Sequence, residues 1–159
     1  MHPYLVPALE LSPNVFERLL EQIPAVRLDE AIVYGRFTAR EIAAHIADWE
    51  PIMRGRIELA CRTPGAVIAV FNESEMAVAN GYSGSDPREQ LREFRRERQA
   101  TVDFVANVHR QDWGNIVQHP ERGPLSAYDL ANLILGHDLY HIEQISAYLP
   151  GITAAEGQA

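Results

Sequence analysis

Apolar side chains recur at three- and four-residue spacing in four long stretches of the chain, and no stretch alternates convincingly in the manner of a strand. Val15, Phe16, Leu19, Leu20 and Ile23 form the first stripe. Ser12 and Pro13 read as its N-cap and first helical position and Pro24 as its stop, so a helix is predicted over about 13–23. An upstream extension through Leu5, Leu9 and Glu10 would be bent near the prolines. The second pattern opens with Thr38 and Glu41, spaced as a capping box. It runs through Ile42, His45, Trp49, Ile52, Arg56 and Leu59. Pro51 lies inside it, removes one helix hydrogen bond and predicts a kink just below His45.

The third helix opens with Asp86-Pro87-Arg88-Glu89 and turns Leu91, Phe94, Val102, Val105 and Val108 to the core. Ser126 caps the fourth, which is predicted to end before Pro150-Gly151, with the last eight residues disordered. Residues 24–37 and 110–125 read as connectors. So does the long segment 62–85, with a short helix predicted around Glu73–Asn80; a connector of that length suits a lid or a pocket wall. The expectation is all-α, a four-helix bundle with a long connector between helices two and three. It forms a single domain over 1–159 with an ordered core of about 5–149.

Within the fourth pattern, Leu130, Leu133, Ile134, His137, His141, Gln144 and Tyr148 share one helical stripe of roughly 100°, while Asp129, Asp138 and Glu143 project elsewhere. Imidazoles on a core-facing stripe need partners for their nitrogens. Residues i and i+4 are neighbours on a helix, so His137 and His141 can ligate one ion together; two hydrogen-bonded core histidines are the plain alternative. His45 shares a face with Thr38, Ile42, Trp49, Ile52 and Arg56, so the second helix also carries an inward histidine, which taken alone reads more readily as a core histidine bonded to Asp48 or a backbone carbonyl. Three histidines from two helices supply three corners of a metal site and leave positions open for solvent, as a catalytic site requires. Zinc or nickel suits three imidazoles, and manganese and iron are further candidates.

Composition narrows the picture. The chain has 159 residues, 47% of them hydrophobic, enough for a full core in one domain. Cys61 is the sole cysteine, so no intramolecular disulfide forms and a reducing compartment is expected; it reads as a small core residue rather than a nucleophile. The N-terminus lacks the pattern of a signal peptide and no apolar run is long enough to span a membrane, so the expected location is cytoplasmic. A net charge of −8 argues against nucleic acid as a partner. Arg92, Arg95, Arg96 and Arg98 alternate with Glu89, Glu93 and Glu97 and read as a solvated, ion-paired helix face.

Other metal and nucleophile motifs are absent. The zincin pattern needs Glu after the first histidine, where this chain has the shorter Asp138, and no Glu-x-x-His occurs. Nor does Cys-x-x-Cys, Gly-x-Gly-x-x-Gly or Gly-x-Ser-x-Gly. Several residues keep two readings. Asp48, about 60° from His45, is either a general base or acceptor near the metal, or an ordinary helix-face carboxylate. Arg56, about 16 Å along the helix from His45, either binds an anionic substrate or makes a salt bridge at the bundle end. His119 either approaches the pocket mouth or lies on the surface. Gln144 needs a hydrogen-bond partner in either setting. Trp49 reads as core, Tyr140 as off the histidine face, and His2 and His109 as incidental.

Four segments resemble one family. Ala8-Leu9-Glu10-Leu11-Ser12-Pro13, Phe37–Asp48, His119–Ser126 and His137–Ile145 are similar, in order and spacing, to DinB-like proteins over roughly residues 5–149. Pro51 departs from the pattern. The resemblance implies a four-helix bundle, often a homodimer, with one divalent metal held by the histidines matching His45, His137 and His141. Members include thiol S-transferases using bacillithiol, a mycothiol-dependent maleylpyruvate isomerase and many proteins classed as hydrolases of unknown substrate. The expected function is therefore metal-dependent chemistry on a small molecule, by thiol transfer or hydrolysis, with a low-molecular-weight thiol as a candidate co-substrate. The alternative is a non-catalytic dimeric metal-binding stress protein. Three neutral ligands leave the metal its full charge, so a base would come from Asp48 or from the 62–85 connector.

Overall fold

The computed structural model describes residues 3–149; His2 and the expectations for the C-terminal tail lie outside them. Five helices are present among the described residues: α1 Leu5–Gln22, α2 Ala39–Arg62, the short α3 Glu73–Ala79, α4 Pro87–Ala106 and α5 Ala127–Ser146. The four long ones form the bundle. α2 packs on α4 and α5, and α1 packs on the same two. Sequence neighbours α1 and α2 therefore face each other across a diagonal, which the connector at 23–38 must span.

The caps form where the sequence placed three of them. Thr38 Oγ1 accepts from Glu41 N at 3.3 Å while Glu41 Oε2 accepts from Thr38 N at 2.9 Å. Ser126 and Asp129 repeat the exchange at the start of α5. Asp86 accepts from Arg88 N ahead of α4, with Pro87 at the first helical position. Each such cap is worth about 1 kcal/mol. α2 continues without interruption past Pro51.

The start of α1 differs from expectation. Ser12 is not its cap: the helix takes in the upstream extension from Leu5, and Ser12 and Pro13 are buried inside it. Leu5 and Leu9, 1% and 0% exposed, continue the apolar stripe, so core packing outweighs the helix-breaking tendency of Pro13. Proline has no N–H, so the carbonyl of Leu9 four residues back loses its helix donor. Arg98 Nη1 at 3.2 Å and Ser12 Oγ at 3.4 Å donate to it instead.

The connector at 110–125 also differs. It holds a hairpin, β1 Ile116–His119 and β2 Gly123–Ser126, paired antiparallel with His119 opposite Gly123. The loop Pro120-Glu121-Arg122 closes through Gly123 at φ 76°, a left-handed conformation that suits glycine. Ala66 and Ile68 of the 62–85 connector bond to Gln118 of β1, which fixes that connector to the hairpin.

The core is divided. One apolar cluster joins Leu5, Leu9, Met53, Ile57, Val102, Val105, Leu130 and Ile134, and the other joins Phe16, Leu20, Ile42, Ile46, Phe94 and Ile145. Every long helix carries buried or half-buried polar residues near the junction of the clusters: Ser12 on α1, His45 and Glu50 on α2, Arg98 and Thr101 on α4, and His137, Asp138 and His141 on α5. A polar layer crosses the middle of the bundle, and the chemistry lies in it.

Candidate metal centre

α2 and α5 bring His45, His137 and His141 together by their Nε2 atoms. His137 Nε2 lies 3.0 Å from His45 Nε2 and 3.2 Å from His141 Nε2. His45 and His141 are 0% and 3% exposed, and His137 is partly buried. His141 Nδ1 lies 2.8 Å from Gln144 Oε1, a carbonyl that can only accept, so the ring carries its hydrogen on Nδ1 and its Nε2 is a bare lone pair. One hydrogen on His137 Nε2 can serve only one of its two neighbours. A cation between the three nitrogens satisfies all of them at once, and the observed spacings are close to the edges, about 3.3 Å, of a tetrahedral site with zinc–nitrogen bonds near 2.0–2.1 Å. His45 Nδ1 is buried without a partner among the described residues, so nothing at that atom fixes the tautomer of the ring.

The imidazoles are held neutral, the form in which they ligate metals. Burial lowers His45 to about 2, aided by the charges of His141 and His137. Burial and then His137 lower His141 to about 3, outweighing the support of Gln144 and Asp138. Burial and then Arg98 lower His137 to about 4.

His137 and His141 stand on the wall of a pocket of about 850 Å³. α2 contributes Trp49, Met53 and Arg56, the 62–85 connector contributes Phe71, Glu73 and Glu75, and the hairpin contributes His119, Glu121 and Arg122. The connector is thus a pocket wall.

The model of the DinB superfamily matches residues 8–145. The chain belongs to the DinB superfamily. Among solved structures it is similar to YfiT from Bacillus subtilis, described as a probable metal-dependent hydrolase with an unusual four-helix bundle topology. The TM-score is 0.84 at 19% identity, covering 91% of this chain and 83% of that one, a likeness that shows the four-helix-bundle fold. No curated protein matches the chain.

Next to His137 on the histidine helix, Asp138 belongs to a buried group that the sequence reading missed. Arg98 is 2% exposed, not solvated with its arginine neighbours. It donates to Glu50 (Nε–Oε1 2.7 Å, Nη2–Oε2 2.7 Å) and to Asp138 (Nη1–Oδ2 2.6 Å, Nη2–Oδ1 2.9 Å), and also to Ser12 Oγ. Burial opposes its charge, but the bonds and charges of Asp138 and Glu50 outweigh burial and raise its pKa. The signal was present: Phe94, Arg98, Val102 and Val105 lie on one stripe at four- and three-residue spacing. Of the rest of the basic cluster, Arg96 pairs with Glu93 and Glu97 and Arg92 with Glu89 as expected, whereas Arg95 reaches across to Glu17 and Asn14 of α1.

The remaining candidates fall as follows. Asp48 accepts from Asn80 Nδ2 at 2.6 Å, and its charge joins burial in raising the Tyr82 phenol; it is not on the pocket wall. Arg56 lines the pocket, over the Trp49 ring at 5.4 Å, and bonds to the Ala69 carbonyl rather than to a carboxylate. His119 is 8% exposed and also lines the pocket. Trp49 is core on one side and pocket on the other. Tyr140 reaches the pocket and packs edge-on to His141 at 5.1 Å, closer than its helical angle suggested. Cys61 packs against the core, and burial, then the charge of Asp112, push its thiol up, which disfavours a thiolate nucleophile. His109 is exposed. No helix among the described residues is long and apolar enough to cross a membrane.

Proposed function

We propose that this DinB protein is a metal-dependent enzyme acting on a small molecule, with one divalent ion held by the Nε2 atoms of His45, His137 and His141. The observation that carries the proposal is the convergence of those atoms beside a pocket large enough for a small-molecule substrate. An open pocket at the histidines favours catalysis over a sealed structural site. Three neutral imidazoles suit zinc or nickel, with manganese and iron as further occupants.

When bound, such an ion supplies a centre of undiminished 2+ charge that makes water or a low-molecular-weight thiol nucleophilic at neutral pH. The protein's own groups do the rest. Gln144 fixes the tautomer and orientation of His141. Trp49, Met53, Phe71 and Leu133 give the pocket apolar surface that limits water. For the proton released by the nucleophile there are two sources of a base: Asp48, one hydrogen bond behind the end of α3 through Asn80, and Glu73 and Glu75, which stand on the pocket wall. The geometry favours the glutamates. A cytoplasmic location and a homodimer belong to the same proposal and rest on the lone Cys61 and the family resemblance.

The test is a panel of thiol cofactors with electrophiles, and of esters and amides, assayed on the metal-loaded protein. Turnover should disappear in His45→Ala, fall without metal loss in Glu73→Gln/Glu75→Gln, and fall in Asp48→Asn only if that carboxylate is the base. A rate unchanged by metal removal contradicts the proposal.

A further inference from the structure

The pocket has a second chemical feature at its hairpin side. Arg56 is half-buried, and among the described residues its only hydrogen-bond partners are the Ala69 carbonyl at 3.1 Å and the Met53 sulfur at 3.6 Å; its Nε is buried with none. None of the described carboxylates pairs with it. Burial and the like charge of Arg122 both push its guanidinium down. A partly desolvated cation facing another cation is unfavourable unless an anion joins them.

His119 adds a donor. The backbone N–H groups of Glu121 and Arg122 donate to its Nδ1 at 3.1 and 3.3 Å. A backbone N–H cannot accept, so Nδ1 carries the lone pair and the hydrogen sits on Nε2, which has no acceptor among the described residues. The same turn that fixes this tautomer places Arg122. The acids of the pocket wall do not neutralise the corner: Glu75 is bonded to Asn72, and neither Glu73 nor Glu121 pairs with Arg56 or Arg122. In a chain of net charge −8, two arginines that have no carboxylate partner among the described residues, with a fixed N–H donor on the same pocket wall, are a selective feature.

We propose that Arg56, Arg122 and the Nε2–H of His119 form an anion subsite, and that the substrate is a small carboxylate with an apolar body. The carboxylate lies at the hairpin side, the body lies against Trp49, Met53 and Leu133, and the reacting group faces His137 and His141. This rests on the reading of the histidines as the reaction centre, but the subsite can be tested without turnover.

The probes are 4-phenylbutyrate and its uncharged analogue 4-phenylbutanamide, titrated by calorimetry into metal-loaded protein. Charge-assisted hydrogen bonds from two arginines should make the acid bind about tenfold or more tightly than the amide. The ratio should fall to near one in Arg56→Met, and several-fold in Arg122→Gln, whose exposed position spares the fold. It should persist in wild-type protein stripped of metal by a chelator. The proposal fails if acid and amide bind alike, if neither binds, or if the acid's advantage survives both substitutions. An advantage that vanishes with the metal but not with Arg56 places the carboxylate on the ion, which sinks the subsite and leaves the metal reading intact. If the protein holds no metal, the acid-to-amide ratio still decides the subsite.

Discussion

The carbonyl of Leu9, deprived of its helix donor by Pro13, accepts a hydrogen bond from Arg98 at 3.2 Å. Arg98 thereby ties α1 to Glu50 on α2 and to Asp138 on α5, the residue after His137. The group that locks the bundle and the group that offers metal ligands share one layer and one helix, and the charges of Arg98 and Asp138 reach His137 and His141.

This layer predicts an order of stabilities. Arg98→Met strands two buried carboxylates and should cost about 3–5 kcal/mol. Asp138→Asn leaves the Arg98–Glu50 pair neutral and should cost distinctly less. Urea unfolding of metal-free variants gives both numbers, and an equal or reversed order contradicts this account of the layer.

Gln144 should act through His141. Removing the acceptor of the Nδ1 hydrogen in Gln144→Leu is expected to weaken metal affinity by about 10–100-fold, with little change in unfolding of the metal-free protein. Competition with a chromophoric chelator measures this, and an unchanged affinity would show that His141 needs no orienting partner.

The histidines also predict a pH dependence of the metal-free protein. Their folded pKa values are depressed, to about 2, 3 and 4, below an unfolded value near 6.5. Above pH 6.5 both states are neutral and the histidines contribute nothing. As pH falls below 6.5 the unfolded chain takes up protons that the folded one refuses, so stability is lost from about pH 6.5 down to about 4 for His137, 3 for His141 and 2 for His45. The loss is on the order of 1 kcal/mol for each histidine at pH 5.5. Replacing all three with Gln should flatten the drop between pH 7.5 and 5.5; an identical drop in the variant would assign it to other groups.

Much of this was legible in the sequence, for local reasons. The capping box at Thr38–Glu41, the Ser126 cap and the Asp86-Pro87 start fix helix boundaries through side chains only a few residues apart. The i, i+4 spacing of His137 and His141 fixes a shared face, and the inward face of α2 supplied His45. What escaped depends on partners distant in sequence. Pro13 reads as a helix start until Arg98, 85 residues on, is seen to serve the orphaned Leu9 carbonyl. Arg98 reads as surface because its neighbours at 92, 95 and 96 are exposed or half-buried, although its own stripe is core. The hairpin has four-residue strands with Pro124 inside one, too short for alternation to register, and it carries His119 and Arg122 to the pocket.

The central claim is one divalent ion on His45, His137 and His141, and elemental analysis of protein purified without a chelating tag tests it most directly. The account predicts close to one zinc, nickel or similar ion per chain in the wild type and almost none in His45→Ala, with both proteins folded by circular dichroism. A triple alanine variant of the three histidines that keeps the wild-type metal content, or a wild type that binds none when supplied with these metals, would contradict it.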